Sequence, residues 1–235
     1  MWESRIYTCF EGIHIYMLVA FDIETLGKLS ETPLPAITCV CLYDGNQEDR
    51  LRFWKVSQET FMENKKKLLE WLDGASGLAG FNAVDFDLEY IRQFFGIDEK
   101  QMRGWILKCR DPFMVCRHVL KNTCGLNHLL QINGLASKTG SGSNAIQLAL
   151  DEKWDDLLDY CMMDTILTFE LCSLPEIAFS AYLRGSVDNG GVWQFYLKKN
   201  NQEEALFIPA SMMMKKMETV ETMASDPTIS YVMHE

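Results

Sequence analysis

Acidic residues that could bind a divalent cation occur at three places in the chain, and the first is a pair. Asp22 and Glu24 stand two residues apart at the end of residues 16–23, an apolar, β-rich stretch that predicts a buried strand. Because side chains alternate along a strand, both carboxylates point to the same face. Like charges on one face repel each other, so they need either solvent or a cation, and hard cations prefer oxygen ligands.

The second place is the sequence GFNAVDFD at residues 80–87, where a predicted strand runs into a predicted helix. The first turn of a helix has free backbone amides, and Asn82 taken alone predicts an N-cap for them. On that interpretation Asp87 is a surface carboxylate. The neighbouring Asp85 is predicted to face solvent.

The third place is a long predicted helix, residues 153–173, in which Tyr160 precedes Asp164 by four residues. Side chains four apart lie on one face of a helix, here beside apolar neighbours. A buried aspartate needs a partner. The structural interpretation is a hydrogen bond between Tyr160 and Asp164, and the chemical one is a third contribution to a shared site.

The overall charge restricts how such a protein could hold nucleic acid. The 235 residues include 22 basic and 33 acidic side chains, which gives a formal net charge of −11. A protein that holds DNA by bulk charge is basic, so this chain would need local basic groups, metal ions or both. The plain interpretation of the acidity is solubility.

Apolar runs and cysteines indicate a globular protein of a reducing compartment. The longest apolar runs are about six residues, so we expect no membrane span, and we recognise no signal peptide. The eight cysteines include no C-x-x-C pair, which predicts thiols in a reducing cytoplasm. Cys116, His118, Cys124 and His128 form a C-x-H-x5-C-x3-H cluster that matches no zinc pattern.

The order of predicted elements indicates an α/β fold, with a mixed sheet flanked by helices. Residues 44–46 predict the turn of an antiparallel hairpin, Ser57 predicts a helix N-cap, and Gly96 predicts a helix end. The predicted strands are residues 16–23, 36–43, 51–56, 77–81 and 105–109. The predicted helices run from Ser57 to Leu72, from the fourth strand to Phe95, and over residues 111–121, 125–132, 144–150 and 153–173.

We predict three parts of the chain: an N-terminal extension (1–16), an α/β domain (17–175) and a C-terminal extension (176–235). Pro175 marks the predicted end of the domain. The extension is expected to contain a second hairpin, a short methionine-rich helix and a disordered end. The hairpin strands are predicted at residues 190–197 and 204–208, the helix at 211–224, and a mobile loop within the domain at 137–143.

Together, in this order and on these elements, the three places closely resemble the motifs of the DEDD superfamily of 3′–5′ exonucleases, which have the RNase H-like fold. Asp22 and Glu24 match its first motif. Asp87 matches the second motif and Asp164 the third. Tyr160, four residues before Asp164, resembles the tyrosine branch of the superfamily.

The sister branch of the superfamily has histidine five residues before the last aspartate, where this chain has Asp159. The pattern N-x-x-x-F-D, with Gly80 before it and Tyr90-Ile91 after it, is most similar to the exonuclease domains of family-B DNA polymerases. The resemblance covers roughly residues 16–175. It implies a stand-alone exonuclease domain.

The resemblance implies hydrolysis of phosphodiester bonds at the 3′ end of single-stranded DNA, with two Mg²⁺ or Mn²⁺ ions. It implies that Asp22 bridges both ions, while Glu24 and Asp164 complete the site that activates water. Asp87 would serve the second ion. Tyr160 would orient the attacking water, because an unperturbed tyrosine pKa of about 10 makes it a poor general base.

The resemblance also implies residues that contact the substrate. Thr25 and Leu26 match positions at the terminal nucleotide, and Asn82 and Phe86 would line the single-strand path, although a core role for Phe86 is equally open. Lys138, in the predicted mobile loop, is a candidate phosphate contact. The other basic candidates are Lys108, Arg110, Arg117 and Lys121. Taken singly, each is interpreted as a solvated surface charge.

Three alternatives stay open. The substrate could be RNA, since no residue decides how a 2′-hydroxyl is treated. The chain could be a non-catalytic nucleic-acid or protein-binding module on the same fold, although the intact carboxylates and Tyr160 argue against it. It could also be a structural protein that docks to a protein partner through the methionine-rich C-terminal extension.

Overall fold

A mixed five-stranded sheet forms the centre of the protein, with strand order β3-β2-β1-β4-β5. The computed structural model describes residues 17–55, 57–119, 123–137, 145–180, 198–200 and 203–209. The strands are β1 (Leu18–Thr25), β2 (Ile37–Tyr43), β3 (Glu48–Arg52), β4 (Gly77–Ala79) and β5 (Cys109–Arg110). β2 runs antiparallel to β1 and β3, whereas β4 is parallel to both β1 and β5.

Helices cover both faces of this sheet, which is why β1 and β2 are apolar along nearly their whole length. Odd-numbered residues of β1, such as Val19 and Phe21, pack into the larger core beneath α1 (Gln58–Gly74), α2 (Asp87–Phe95) and α3 (Glu99–Leu107). The opposite face packs against α6 (Ala145–Leu150) and α7 (Trp154–Ser173). The sequence expectation of a mixed sheet flanked by helices is confirmed.

Local sequence signals predicted the start of α1 and the end of α2 correctly. Ser57 is the N-cap of α1, and its side chain accepts a hydrogen bond from the backbone amide of Thr60. The helix continues to Gly74, two residues beyond the predicted end. α2 ends before Gly96, whose left-handed φ of 66° is readily adopted by glycine.

Two predicted strands have other boundaries in the structure. Residues 105–107 belong to α3, because Asp98 caps that helix and Trp105 is buried on its inner face, so only Cys109–Arg110 pairs as a strand. β3 begins at Glu48 rather than at residue 51. The reason is a tight turn, in which Asp44 accepts hydrogen bonds from the amides of Asn46 and Gln47.

The segment after β5 is less regular than the single helix predicted for residues 111–121. It contains α4 (Pro112–Met114) and a π-helical turn (Val115–Val119), and α5 (Leu126–Ile132) follows as predicted. Within the described ranges, no helix has the length and apolarity needed to cross a membrane.

A second sheet of three strands follows α7, in the order β6-β8-β7. β6 (Glu176–Ser180) and β7 (Lys198–Asn200) both pair antiparallel with β8 (Glu203–Pro209), so β7 and β8 form a hairpin. Ile177 and Phe179 are fully buried beside residues of α5 and α7, so core packing continues past Pro175. Residues 1–16, 190–197 and 211–224 lie outside the described residues.

Candidate active site

The end of the central strand β1 carries the first two predicted carboxylates. Asp22 and Glu24 are half-buried and alternate with the buried Ile23, as the strand period requires. Their face of the sheet meets α7, where the Cys161 thiol donates to the backbone carbonyl of Asp22 at 3.4 Å and to its Oδ2 at 3.6 Å. The carboxylate of Asp22 is therefore placed against the helix that carries the third motif.

Asp87, the first residue of α2, reaches across to the same strand. Its Oδ1 accepts a hydrogen bond from the backbone amide of Ile23 at 3.0 Å, and the side chain is buried, with 3% of its surface exposed. β4 pairs with β1 only at Leu18–Ala20, so this amide lies beyond the ladder and needs another acceptor. The interpretation of Asp87 as a surface carboxylate is wrong.

Asn82 does not cap α2. The N-cap position belongs to Phe86, which makes no side-chain cap, while Asn82 has a left-handed φ of 63° in the turn before it. Asparagine tolerates that conformation better than most residues. The residue therefore shapes the strand-to-helix turn.

The third contribution comes from α7, which packs on β1 and β2. Asp164 is buried at 9% exposure, and Tyr160 is half-buried one turn earlier. The ring of Tyr160 packs against the apolar cluster formed by β2, α6 and α7. Both members of the predicted pair are thus held on the inner side of the helix.

Electrostatics shows that the four carboxylates of the three motifs are neighbours. Burial raises the pKa of Asp22 well above its ordinary value, and repulsion from Asp87, Glu24 and Asp164 raises it further. Burial also raises the pKa of Asp87 to about 7, against the opposing effect of the Ile23 amide. The fold has therefore placed Asp87, Glu24 and Asp164 close enough to Asp22 to disfavour its charged form.

The donor chemistry of this cluster fits a hard divalent cation. All its ligand atoms would be carboxylate oxygens, which Mg²⁺ and Mn²⁺ prefer, and a cation would relieve the mutual repulsion. Among the described residues, no group of three or more His, Cys, Asp or Glu side chains is arranged to hold a metal ion. The match is thus one of charge and ligand type, without a formed coordination sphere.

Asp111 is a carboxylate of this region that our sequence reasoning missed. It is 4% exposed; its Oδ1 accepts from the amides of Asn82 (2.9 Å) and Phe113 (3.1 Å), and its Oδ2 accepts from that of Val84 (3.0 Å). Burial raises its pKa to about 6, against these amides. The side chain fastens the turn that leads into Asp87. The Asp-Pro pair at 111–112, an N-cap followed by proline, was the signal for it.

Gly80 is needed in the same turn because of close packing. A Cβ at this position would lie 2.2 Å from the Cβ of Ala83, far inside any permitted contact. The glycine thus lets the chain fold back at the end of β4. It belongs to the pattern that the sequence singled out, and the structure gives its physical reason.

The predicted substrate contacts are mostly engaged in the fold. The Thr25 hydroxyl donates to the carbonyl of Gly27 at 2.8 Å, and the Phe86 ring packs 5.4 Å from that of Tyr90, which favours a core role. Leu26 and Asn82 are half-buried near the site. Lys138 lies outside the described residues.

Three of the basic candidates make internal contacts. Lys108 donates to the carbonyls of Asp73 and Ala75, and Arg110 donates to that of Cys172 at 2.7 Å. Arg117 pairs with Asp85 at 2.5 Å, so that aspartate is not simply solvated. Lys121 lies outside the described residues.

Comparison with known proteins identifies the fold through solved structures. No protein-family model matches the chain, and no curated protein does. The family B DNA polymerase from the hyperthermophilic archaeon Pyrobaculum calidifontis matches with a TM-score of 0.52 and 12% identity, over 67% of this chain and 24% of the polymerase. Trypanosoma brucei RNase D matches with a TM-score of 0.48 and 17% identity, over 74% of this chain and 59% of that one.

The similarity to the polymerase shows a shared architecture. The chain has the α/β RNase H-like fold that its motifs predicted, and it spans about a quarter of the length of the polymerase. At 12% identity, the match to the polymerase supports the fold alone. The function has to be argued from the site.

Proposed function

We propose that this chain is a metal-dependent 3′–5′ exonuclease that acts on single-stranded DNA. The observation that carries the proposal is the convergence of Asp22, Glu24, Asp87 and Asp164, from β1, α2 and α7, in an RNase H-like fold. Acidic groups gathered around Asp22 repel it and lower stability, so their presence together points to a function. The N-x-x-x-F-D pattern, which resembles the exonuclease domains of family-B DNA polymerases, supports DNA as the substrate.

The four carboxylates would hold two Mg²⁺ or Mn²⁺ ions, which supply an activated water and neutralise the charge that develops on the phosphate. Asp22, on the central strand and surrounded by the other three, is the residue we assign to both ions. Asp87 is held in place by the Ile23 amide. Because the chain has a formal net charge of −11, it would attract a phosphate only when cations are bound to these carboxylates.

Tyr160 is assigned to orient the attacking water. Its phenolic hydroxyl can both donate and accept a hydrogen bond, which suits a role in positioning a water molecule. Its ring packs against the apolar cluster formed by β2, α6 and α7. We assign the half-buried Leu26 to the terminal nucleotide and the half-buried Asn82 to the single-strand path.

A ladder assay tests this proposal. Purified protein is given 5′-labelled single-stranded DNA and the matching RNA, with Mg²⁺, Mn²⁺ or chelator. We expect metal-dependent shortening from the 3′ end, preferentially of the DNA. Asp22→Ala and Asp164→Ala should lose the ladder and keep the fold, as judged by thermal unfolding, because each removes a ligand and relieves repulsion.

Asp159→Asn is the matched control, because Asp159 lies on the same helix beside Tyr160 but is exposed and paired with Arg50. Its ladder should equal that of the unmodified chain. An unchanged rate in Asp22→Ala would refute the active site. A folded protein that degrades neither substrate with either metal would favour a binding module on the same fold.

A further inference from the structure

Two cysteines outside the carboxylate site stand in unusually close contact. Cys116 lies in the π-helical turn Val115–Val119, and Cys124 lies shortly before α5. Their Sγ atoms are 2.6 Å apart, and both residues are free thiols. Non-bonded heavy atoms ordinarily stand about 3.5–4.0 Å apart, and the sulfurs of a disulfide about 2.05 Å. The backbone therefore already holds this pair within a short movement of a covalent bond.

The two thiols differ in accessibility and acidity. Cys116 is buried at 3% exposure in the cluster formed with α5 and α7, whereas Cys124 is partly exposed. The hydrogen bond between the two thiols lowers the pKa of Cys124 and raises that of Cys116. Because the thiolate is the nucleophile, Cys124 is the member that an external reagent would meet first.

The other cysteines of the described ranges lack this combination. Each of them is buried at 2% exposure or less. Burial raises the pKa of Cys109, Cys161 and Cys172, which keeps these thiols protonated and inert. Among the described cysteines, thiol reactivity is thus concentrated at the pair Cys116 and Cys124.

We propose that Cys116 and Cys124 are a site of reversible disulfide formation, oxidised by exchange with a small-molecule disulfide such as oxidised glutathione. The Cys124 thiolate attacks one sulfur of that disulfide, which forms a mixed disulfide and releases one small thiolate. The Cys116 thiolate then attacks the Cys124 sulfur and releases the second. The protein loses two electrons and two protons, and the small disulfide becomes two thiols.

The bond would fix a segment that touches the turn before Asp87. Arg117, next to Cys116, pairs with Asp85 in that turn, and Asp111 fastens the same turn from the start of the segment. Oxidation would thus restrain the π-helical turn on one side of the candidate active site. The disulfide itself does not depend on the proposed nuclease activity.

Peptide mapping of the native full chain tests the proposal. The protein is incubated with oxidised glutathione, alkylated under acid quench and digested with trypsin without reductant. Trypsin cleavage after Arg110, Arg117, Lys121 and Lys138 separates residues 111–117 from residues 122–138. We expect these two peptides to be linked, and the alkylatable thiols to fall by two from the eight in the sequence. Dithiothreitol should reverse both changes.

Single variants test the assignment of the pair. Cys116→Ser and Cys124→Ser should each lose the linked peptides, whereas Cys172→Ser should keep them, since that buried thiol only donates to the Arg110 carbonyl. The result for the unmodified chain decides the question even if one variant fails to fold. Recovery of both peptides unlinked, or a stable glutathione adduct on Cys124, would overturn the proposal. So would one zinc ion per chain that is lost in Cys124→Ser and that blocks oxidation.

Discussion

The carboxylates of Asp111 and Asp87 show how single side chains organise this site. Neither is exposed, and each accepts hydrogen bonds from backbone amides of another element. Asp111 holds the turn after β4, and Asp87 holds the end of β1. Burial raises the pKa of both carboxyl groups, which means that their charged forms are disfavoured. The hydrogen bonds from backbone amides act in the opposite direction and hold the two side chains in their buried positions.

Asp111→Asn should loosen the turn that carries the second motif. The side chain of asparagine has only one acceptor oxygen. Its NH₂ group would therefore face either the backbone N–H of Val84 or the backbone N–H groups of Asn82 and Phe113, which now donate to Oδ1. We expect a loss of about 1–3 kcal/mol in the free energy of unfolding, measured by urea titration. Asp98→Asn is the matched control, because that N-cap accepts only the Gln101 amide, and its stability should change little. Equal effects in both variants would contradict the assigned role of Asp111.

Tyr160→Phe should slow turnover while leaving the fold intact. The ring that packs against α6 and β2 is kept and only the hydroxyl is lost, so we expect a fall in rate on the order of 10–100-fold in the ladder assay. Tyr43→Phe is the control, because its hydroxyl donates to Gly45 in the hairpin turn. A Tyr160→Phe protein that is unfolded would indicate a structural hydroxyl instead.

At the scale of elements, the site depends on one strand met by two helices. β1 lies in the middle of the sheet, and its pairing with β4 ends at Ala20, which leaves its last residues open on that side. The turn after β4 brings α2 into this opening. α7 packs across β1 and β2 and supplies the remaining carboxylate. The geometry of the turn at 80–86 therefore decides where Asp87 lies.

Gly80→Ala should disturb this turn, because the new methyl group would collide with the side chain of Ala83. We expect a destabilisation of about 1–3 kcal/mol, together with reduced turnover. Gly104→Ala is the matched control: nothing lies within 4 Å of a Cβ there, and the residue is inside α3. That variant should be more stable by about 0.5–1 kcal/mol. A Gly80→Ala protein as stable and active as the parent would show that the turn can shift without consequence.

At the scale of the whole molecule, the protein is acidic overall and also gathers acidic side chains with raised pKa values around the candidate active site. The net charge is −11, and Asp22, Asp87 and Asp111 all have raised pKa values. Such a chain should respond to pH and to divalent cations more strongly than its surface charges suggest. Surface ion pairs such as Lys66–Glu70 contribute little by comparison.

Without divalent cations, stability should fall as pH rises from 5 to 8. A raised folded-state pKa means that the protonated acid is favoured by folding, so its contribution is full below the ordinary pKa of 3.8 and is lost as pH passes about 6 for Asp111 and about 7 for Asp87. We expect a decrease on the order of 2–4 kcal/mol, measured by urea titration in chelator. The pKa of Glu89 is lowered from an ordinary value that already lies below pH 5, so this residue does not contribute to the pH dependence between pH 5 and 8.

Asp87→Asn should have a smaller pH dependence, since it removes one titrating group and keeps an acceptor for the Ile23 amide. Mg²⁺ or Mn²⁺ at pH 8 should restore stability to the unmodified chain and less to this variant. A stability that is flat or rising between pH 5 and 8 in chelator would contradict the electrostatic description of the cluster.

The sequence by itself determined the features that follow from local periodicity. Alternation along β1 placed Asp22 and Glu24 on one face, the helical period placed Tyr160 and Asp164 one turn apart, and Ser57 marked a helix start. These patterns act between residues a few positions apart, so they can be read without knowing what packs against them.

Only the tertiary structure decided which distant groups meet, because those contacts depend on strand pairing and helix packing rather than on local preference. It placed Asp87 on the Ile23 amide, Asp111 under the turn at 80–86, and the sulfur of Cys116 against that of Cys124. The tertiary structure also limited β5 to two residues, because Trp105 is buried on the inner face of α3 and belongs to that helix. Burial and repulsion from neighbouring carboxylates then raised the pKa of Asp22, an effect that no spacing in the sequence expresses.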